Sequence, residues 1–197
     1  MRESTKRVCQ PLMGIRAITT NFVNAHSHNA NRKIGGWSRP PMGFVKLNVD
    51  ASFSEEDHTG AGGAILRDTT CTFIGVLTAK FDHVPDMVSA EVAALAEGLR
   101  LASNMGCTSI RIQSDCLVLI QALQKNEGHS MVAAPLLDTC RLSLLDFGKV
   151  VLEHCNRDSN KVAHVLAQNG RVDPPNLWLD SPPTFISELL ADDVSVI

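Results

Sequence analysis

The distribution of apolar residues predicts an α/β fold, a mixed β-sheet with helices on its faces. Two observations carry this. Three strand-like segments come first, joined by short links, so they should pair antiparallel. Strand-type and helix-type segments then alternate, which sets helices against a sheet. The predicted order is βββαβααβα.

Each element has its own signal. Trp37-Ser-Arg-Pro-Pro41 opens the folded part. Phe44-Val-Lys-Leu-Asn-Val-Asp50 alternates apolar and polar residues, as a half-buried strand does, and ends on an acid. A turn is expected over Ser54–Gly60. Gly62–Leu66 and Thr72–Thr78 follow as strands, with Arg67–Thr70 as the hairpin between them. The period then changes: Val88, Val92, Leu95, Leu99 and Ala102 form the apolar stripe of a helix. Pro85-Asp86 starts that helix and Asn104-Met-Gly106 ends it. Ile110–Ile112 is a strand, and Ser114-Asp115 begins a helix through Leu123. Pro135, a good first-turn residue, starts another helix that runs to about Asp146. Val150–Leu152 is a strand. Asp158-Ser159 caps a helix carrying Val162, Val165 and Leu166, stopped by Asn169-Gly170. Pro174-Pro175 and Pro182-Pro183 punctuate a tail in which Phe185–Leu190 forms a short helix.

Composition excludes several classes. The chain has 197 residues, 44% hydrophobic and 20% charged, with net charge −3. It is not collagen-like, mucin-like or wholly disordered. No apolar run approaches the ~18 residues that cross a bilayer. Cys9, Cys71, Cys107, Cys116, Cys140 and Cys155 form no CxxC pair and read as reduced thiols of an intracellular protein, nuclear or cytoplasmic. Charge is uneven. Arg2, Lys6, Arg7, Arg16, Arg32, Lys33 and Arg39 stand against Glu3 alone in the first forty residues, and the rest is acidic. Residues 1–36 therefore read as a flexible basic leader. It is either an organelle transit segment, being arginine-containing and acid-poor, or the remnant of a longer parent chain. Residues 37–170 read as the domain and 171–197 as a tail packed on it or trailing it.

Four residues stand out by placement: Asp50 at the end of the first strand, Glu91 in the first turns of the long helix, Asp115 after the fourth strand, and His164 in the last core helix. If the first and fourth strands are parallel neighbours, Asp50 and Asp115 lie side by side and Glu91 can reach the same spot. Each acid also has a structural use. Asp115 could be an N-cap, and Glu91 could answer the helix dipole. Converging carboxylates repel and raise one another's pKa unless a cation is present, so the joint placement points to a divalent-metal cradle. Gly60-Ala-Gly-Gly63 leads into a strand and is no phosphate loop. His26, His28, His58, His83 and His129 show no ligand spacing.

Five segments together resemble the type 1 ribonuclease H domain, and more closely its plant branch, which is related to the ribonuclease H region of non-LTR retrotransposon reverse transcriptases. They are Lys46–Ser52, Gly60–Asp68, Ser89–Leu95, Ile112–Cys116 and Asn160–Ala167. The resemblance implies a five-stranded ribonuclease H-like sheet of order 3-2-1-4-5 with flanking helices. It implies hydrolysis of the RNA strand of RNA–DNA hybrids by two Mg²⁺ ions, with Mn²⁺ as a substitute. The partner it implies is the hybrid or another nucleic acid, met by a monomer with no membrane role. By the same resemblance Asp50, Glu91 and Asp115 are catalytic metal ligands, His164 stands at the fourth acidic position, and His154 matches a mobile histidine that assists turnover. Ala51, Ser52 and Asn160 fall at substrate-side positions.

Departures from the pattern matter. His164 replaces an acid, and imidazole suits softer ions better than Mg²⁺. It is either a ligand or a solvent-facing residue at a vacated site. Ala51 and Cys116 stand where glycine and serine are usual. Gln124–Gly148 offers only Lys125 and Arg141, with His129, where bacterial members carry a basic protrusion. A second reading follows: a catalytically weakened nucleic-acid-binding or interaction module derived from a retroelement.

Overall fold

The computed structural model describes residues 37–125, 127–128 and 131–195; the basic leader and His129 lie outside the described residues. Six strands form one sheet in the order β5-β4-β1-β2-β3-β6. They are β1 (Val45–Ser54), β2 (Thr59–Arg67), β3 (Phe73–Phe81), β4 (Ser109–Ser114), β5 (Lys149–His154) and β6 (Asn176–Trp178). The helices are α1 (Met87–Asn104), α2 (Leu117–Lys125), α3 (Ala134–Leu144), α4 (Lys161–Val172) and α5 (Ser187–Ser195). The expected order 3-2-1-4-5 is present, and the sheet has a sixth strand that the sequence reading lacks. Asn176-Leu-Trp178 pairs antiparallel with Val76–Thr78. Three residues between prolines are too few to show a period.

The pairing explains the layout. β1 and β2 are antiparallel from Lys46↔Arg67 to Ser54↔Thr59. β1 and β4 are parallel, and their pairing ends at Asn48↔Gln113. The first strand does not stop at Asp50, as its apolar pattern suggests. It runs on to Ser54 because β2 still pairs with it. Asp50 therefore lies mid-strand, two residues beyond the last bridge to β4, where that side of β1 is open.

Alternation along β1 sorts its side chains onto two faces. Leu47 and Val49 join Leu95, Leu99, Ile110 and Ile112 in the main core under α1, α2 and α3. Fully burying side chains of this size contributes about 1.5–3 kcal/mol each. The opposite face meets α4 and α5 through Ile65, Val76, Val162, Leu166 and Ile186. Gly63, paired with Asp50, sets how closely α4 approaches. A Cβ there would lie 2.5 Å from Ala163 O and from Ala167 N. Only glycine allows that contact, which brings His164 over Asp50.

Boundaries moved where side chains had other uses. Asp86 caps α1 as expected, its carboxylate accepting from Ser89 N at 2.7 Å. Asp158-Ser159 does not cap the last core helix. A short 3₁₀ turn, Arg157–Ser159, is capped by Asn156, and α4 then starts after Asn160. Asp158 instead pairs with Lys161 at 3.2 Å. Asn169-Gly170 does not stop α4, which continues to Val172. Gly170 serves packing, because a Cβ there would meet Ala61 Cβ at 3.2 Å and Thr78 Cβ at 3.3 Å. The helix expected from Ser114-Asp115 starts at Leu117, after Ser114 Oγ accepts from Cys116 N. No helix among the described residues is long and apolar enough to cross a membrane.

Candidate metal centre

Three elements deliver three acids to one spot. Asp50 comes from mid-β1, Glu91 from the second turn of α1, and Asp115 from the residue after β4. One carboxylate oxygen from each lies within 4.8 Å of the others. Asp50 and Glu91 are each 3% exposed. Asp115 is not used as an N-cap; its Oδ1 accepts from Asn160 Nδ2 at 2.9 Å.

The electrostatics follow from burial and like charge. Burial pushes the Glu91 carboxyl up to about 9, with the charges of Asp50 and Asp115 adding to it. Asp50 is pushed up to about 6, by burial first and the Asp115 charge second, against the His164 hydrogen bond that lowers it. Glu91 Oε2 is buried without a hydrogen-bond partner among the described residues. A buried carboxylate oxygen left unpaired is costly. A hard divalent cation accepts such oxygens as ligands and removes the mutual repulsion. The donor set therefore fits a hard divalent cation.

His164 joins from α4. Its Nδ1 lies 2.7 Å from Asp50 Oδ2. Arg157 Nη2 lies 3.0 Å from His164 Nε2 and 3.2 Å from Nδ1. A guanidinium can only donate. The tautomer protonated on Nδ1 satisfies both neighbours: it donates to Asp50 and turns the Nε2 lone pair to Arg157. His154, exposed at the end of β5, places Nε2 3.2 Å from the Asp115 carbonyl.

The expected substrate-side residues are placed less openly. Ala51 is 3% exposed. The Ser52 hydroxyl donates to Ala167 O of α4 at 2.8 Å. Asn160 is 1% exposed. The sequence reading missed Arg157 and Asn48. Asn48 could have been found by period two, since it precedes Asp50 by two on the same face of β1. Arg157 had no periodic signal, because a 3₁₀ turn separates it from α4.

The sequence profile of the family described as reverse transcriptase-like matches residues 48–170. A candidate ribonuclease H protein of Arabidopsis thaliana is 24% identical over 152 residues, 77% of this chain. The chain spans 24% of that relative's length. Among solved structures, RNase H1 of the archaeon Halobacterium salinarum superposes with a TM-score of 0.58 at 20% identity, covering 66% of this chain and 98% of that one. The N-terminal RNase H domain of a Mycobacterium tuberculosis protein gives 0.57 at 18%, covering 64% and 92%. LC11-RNase H1, isolated from compost, gives 0.54 at 14% in its complex with an RNA/DNA hybrid, covering 64% and 94%. At these identities the superpositions establish the fold.

Proposed function

Since the chain belongs to the reverse transcriptase-like family of ribonuclease H-type domains, we propose that it is a divalent-metal-dependent nuclease that hydrolyses the RNA strand of RNA–DNA hybrids. One observation carries the reading: the buried convergence of Asp50, Glu91 and Asp115, with a Glu91 oxygen lacking any partner among the described residues. Asp50, Glu91 and Asp115 would hold the metal. When bound, Mg²⁺ supplies Lewis-acid charge to a phosphodiester and lowers the pKa of water. The two-ion arrangement implied by the family needs a fourth donor, and His164 stands at that place. Its donation to Asp50 holds that carboxylate in one orientation. Arg157 sets a positive charge beside the acids, where a phosphate of the substrate would arrive. His154, exposed and close to the Asp115 carbonyl, is free to move a proton at the rim. Recognition would rest on hybrid shape and 2′-hydroxyls. With few Lys and Arg in the body, binding should be weak.

The second reading, a weakened binding module, is favoured by the engagement of both His164 nitrogens. Cleavage of a labelled RNA–DNA hybrid with Mg²⁺ and with Mn²⁺ separates the two. We expect cleavage by the native chain and a loss of at least about 100-fold in Asp50→Asn. His164→Asp should shift metal preference toward Mg²⁺. Hybrid binding without cleavage in either metal would support the module instead.

A further inference from the structure

Asn160 occupies the N-cap position of α4, yet its side chain makes no cap hydrogen bond. Asparagine is among the best N-caps, and a lost cap costs ~1 kcal/mol. The side chain is diverted elsewhere. Asn160 Nδ2 donates to Asp115 Oδ1 at 2.9 Å and to the Val49 carbonyl at 2.9 Å. Its Oδ1 accepts from Asn48 Nδ2 at 3.1 Å. Asn48 Oδ1 in turn accepts from the Trp37 indole N–H at 2.9 Å. Indole nitrogen only donates. That fixes which end of Asn48 faces Trp37, and hence which end of Asn160 faces Asp115. A flipped Asn160 would set its oxygen against a carbonyl and a carboxylate at once. Trp37, Asn48 and Asn160 are all at most 3% exposed, so no water competes freely for these bonds.

We propose that Asn160 is a positioning residue that holds the Asp115 carboxylate in its metal-binding orientation, with Trp37 and Asn48 fixing the sense of its amide. The inference rests on the metal-dependent reading above. It also gives Asn160 a role other than touching substrate. Both amide hydrogens are already used, one on Asp115 and one on the backbone of β1, and the oxygen receives Asn48. Partners of this kind, one step removed from the ion, typically set metal affinity by 10–100-fold.

The test uses the full chain. Asn160→Ser keeps a strong N-cap residue, so α4 can still start there, while the reach to Asp115 and the acceptor for Asn48 are lost. Asn160→Ala removes the amide and offers no cap in its place. Mn²⁺ affinity is measured by calorimetry, folding by thermal midpoint, and hybrid cleavage by kcat and KM. Leu166→Ala, an apolar truncation on the same helix, controls for general loosening of α4. We expect Asn160→Ser to stay folded, with a midpoint no lower than that of Leu166→Ala, and to bind Mn²⁺ about 10-fold more weakly. Its kcat should fall with KM little changed. Leu166→Ala should lose midpoint and keep Mn²⁺ affinity. Mn²⁺ affinity within twofold of the native chain in folded Asn160→Ser would overturn the proposal. So would a rise in KM alone, which marks a substrate contact, or failure of both Asn160 variants to fold, which marks a structural one. A native chain that binds no Mn²⁺ would sink the metal-dependent reading itself, and this inference with it.

Discussion

The polar face of β1 runs between two groups of buried charge that are built in opposite ways. At one end Lys46 lies between Arg111 and Arg67, its register partners on β4 and β2. The two arginines are matched by carboxylates. Arg67 meets Asp193 at 2.6 Å, Arg111 meets Glu153 at 2.7 Å, and the Trp37 ring lies 3.8 Å from the Arg67 guanidinium carbon and 4.6 Å from Lys46 Nζ. Lys46 also donates to the Ser38 carbonyl. At the other end Asp50, Glu91 and Asp115 gather like charge, with His164 and the Asn160 amide as partners. Where charge serves the fold, the chain supplies the countercharge. Where it serves chemistry, the chain leaves room for one from outside. Removing charge should therefore have opposite consequences at the two ends.

The largest effect on stability is expected at the matched end. Asp193→Ala leaves the Arg67 guanidinium, 2% exposed, without its carboxylate. Breaking a buried pair by deleting one partner costs about 3–5 kcal/mol. A loss of about 3 kcal/mol in urea unfolding is expected, with Mn²⁺ affinity unchanged because Asp193 is remote from the acids. A loss under about 1 kcal/mol would show that α5 is held by its apolar contacts alone.

The pH dependence comes next, and its sign differs between the ends. Glu91 and Asp50 have raised pKa values, about 9 and about 6. Over the interval above their ordinary values, the folded state holds protons that the unfolded state has released. Stability then falls as pH rises. Lys46 is lowered to about 7, by burial first and then by the charges of Arg111 and Arg67. Above pH 7 its folded state holds fewer protons than the unfolded one, so its contribution grows with pH. Between pH 5 and 7 the acids act nearly alone. Metal-free protein should lose on the order of 2 kcal/mol across that range. Scanning calorimetry should show the midpoint falling, and saturating Mn²⁺ should raise it more at pH 7 than at pH 5, because the ion competes with protons. A midpoint flat from pH 5 to 7 without metal would mean that the acids do not crowd one another.

The contrast between the ends was only half visible in the sequence. Asp50, Glu91 and Asp115 were legible because strand alternation, the helical stripe and the order of elements place each one independently of side-chain detail. Lys46 and Arg67 were not singled out, since a lysine in an alternating strand reads as a solvent-facing residue. Their burial depends on Trp37, which comes from outside the strand, and on Asp193, which is 126 residues from Arg67. Such contacts carry no local period. Gly170 misled for a related reason: a glycine near the end of a helical pattern looks like a stop, but here it answers Ala61 and Thr78 across the sheet. The resemblance sets Asn160 on the substrate side; its bond to Asp115 shows only in the packing.

The smallest effect is the most direct probe of the acidic end. Glu91→Gln keeps the shape of the side chain and removes a carboxyl held in a dry site beside two others. At the cationic end deleting a charge orphans its partner. Here it spares the fold the cost of holding that carboxyl protonated, and Glu91 has no cation among the described residues to leave behind. Metal-free Glu91→Gln should therefore be more stable than the native chain by about 1 kcal/mol at pH 7. The gain should nearly vanish at pH 5, which lies close to the ordinary value of a glutamate carboxyl, so that folding the native chain with Glu91 protonated costs little there. The same variant should bind Mn²⁺ far more weakly, since an amide oxygen carries no charge to offer the ion. Stability gained and metal affinity lost in one substitution would mark a site built at the expense of the fold. Destabilisation at pH 7 in the absence of metal would mean that Glu91 has a structural partner, and that the two ends of β1 are alike.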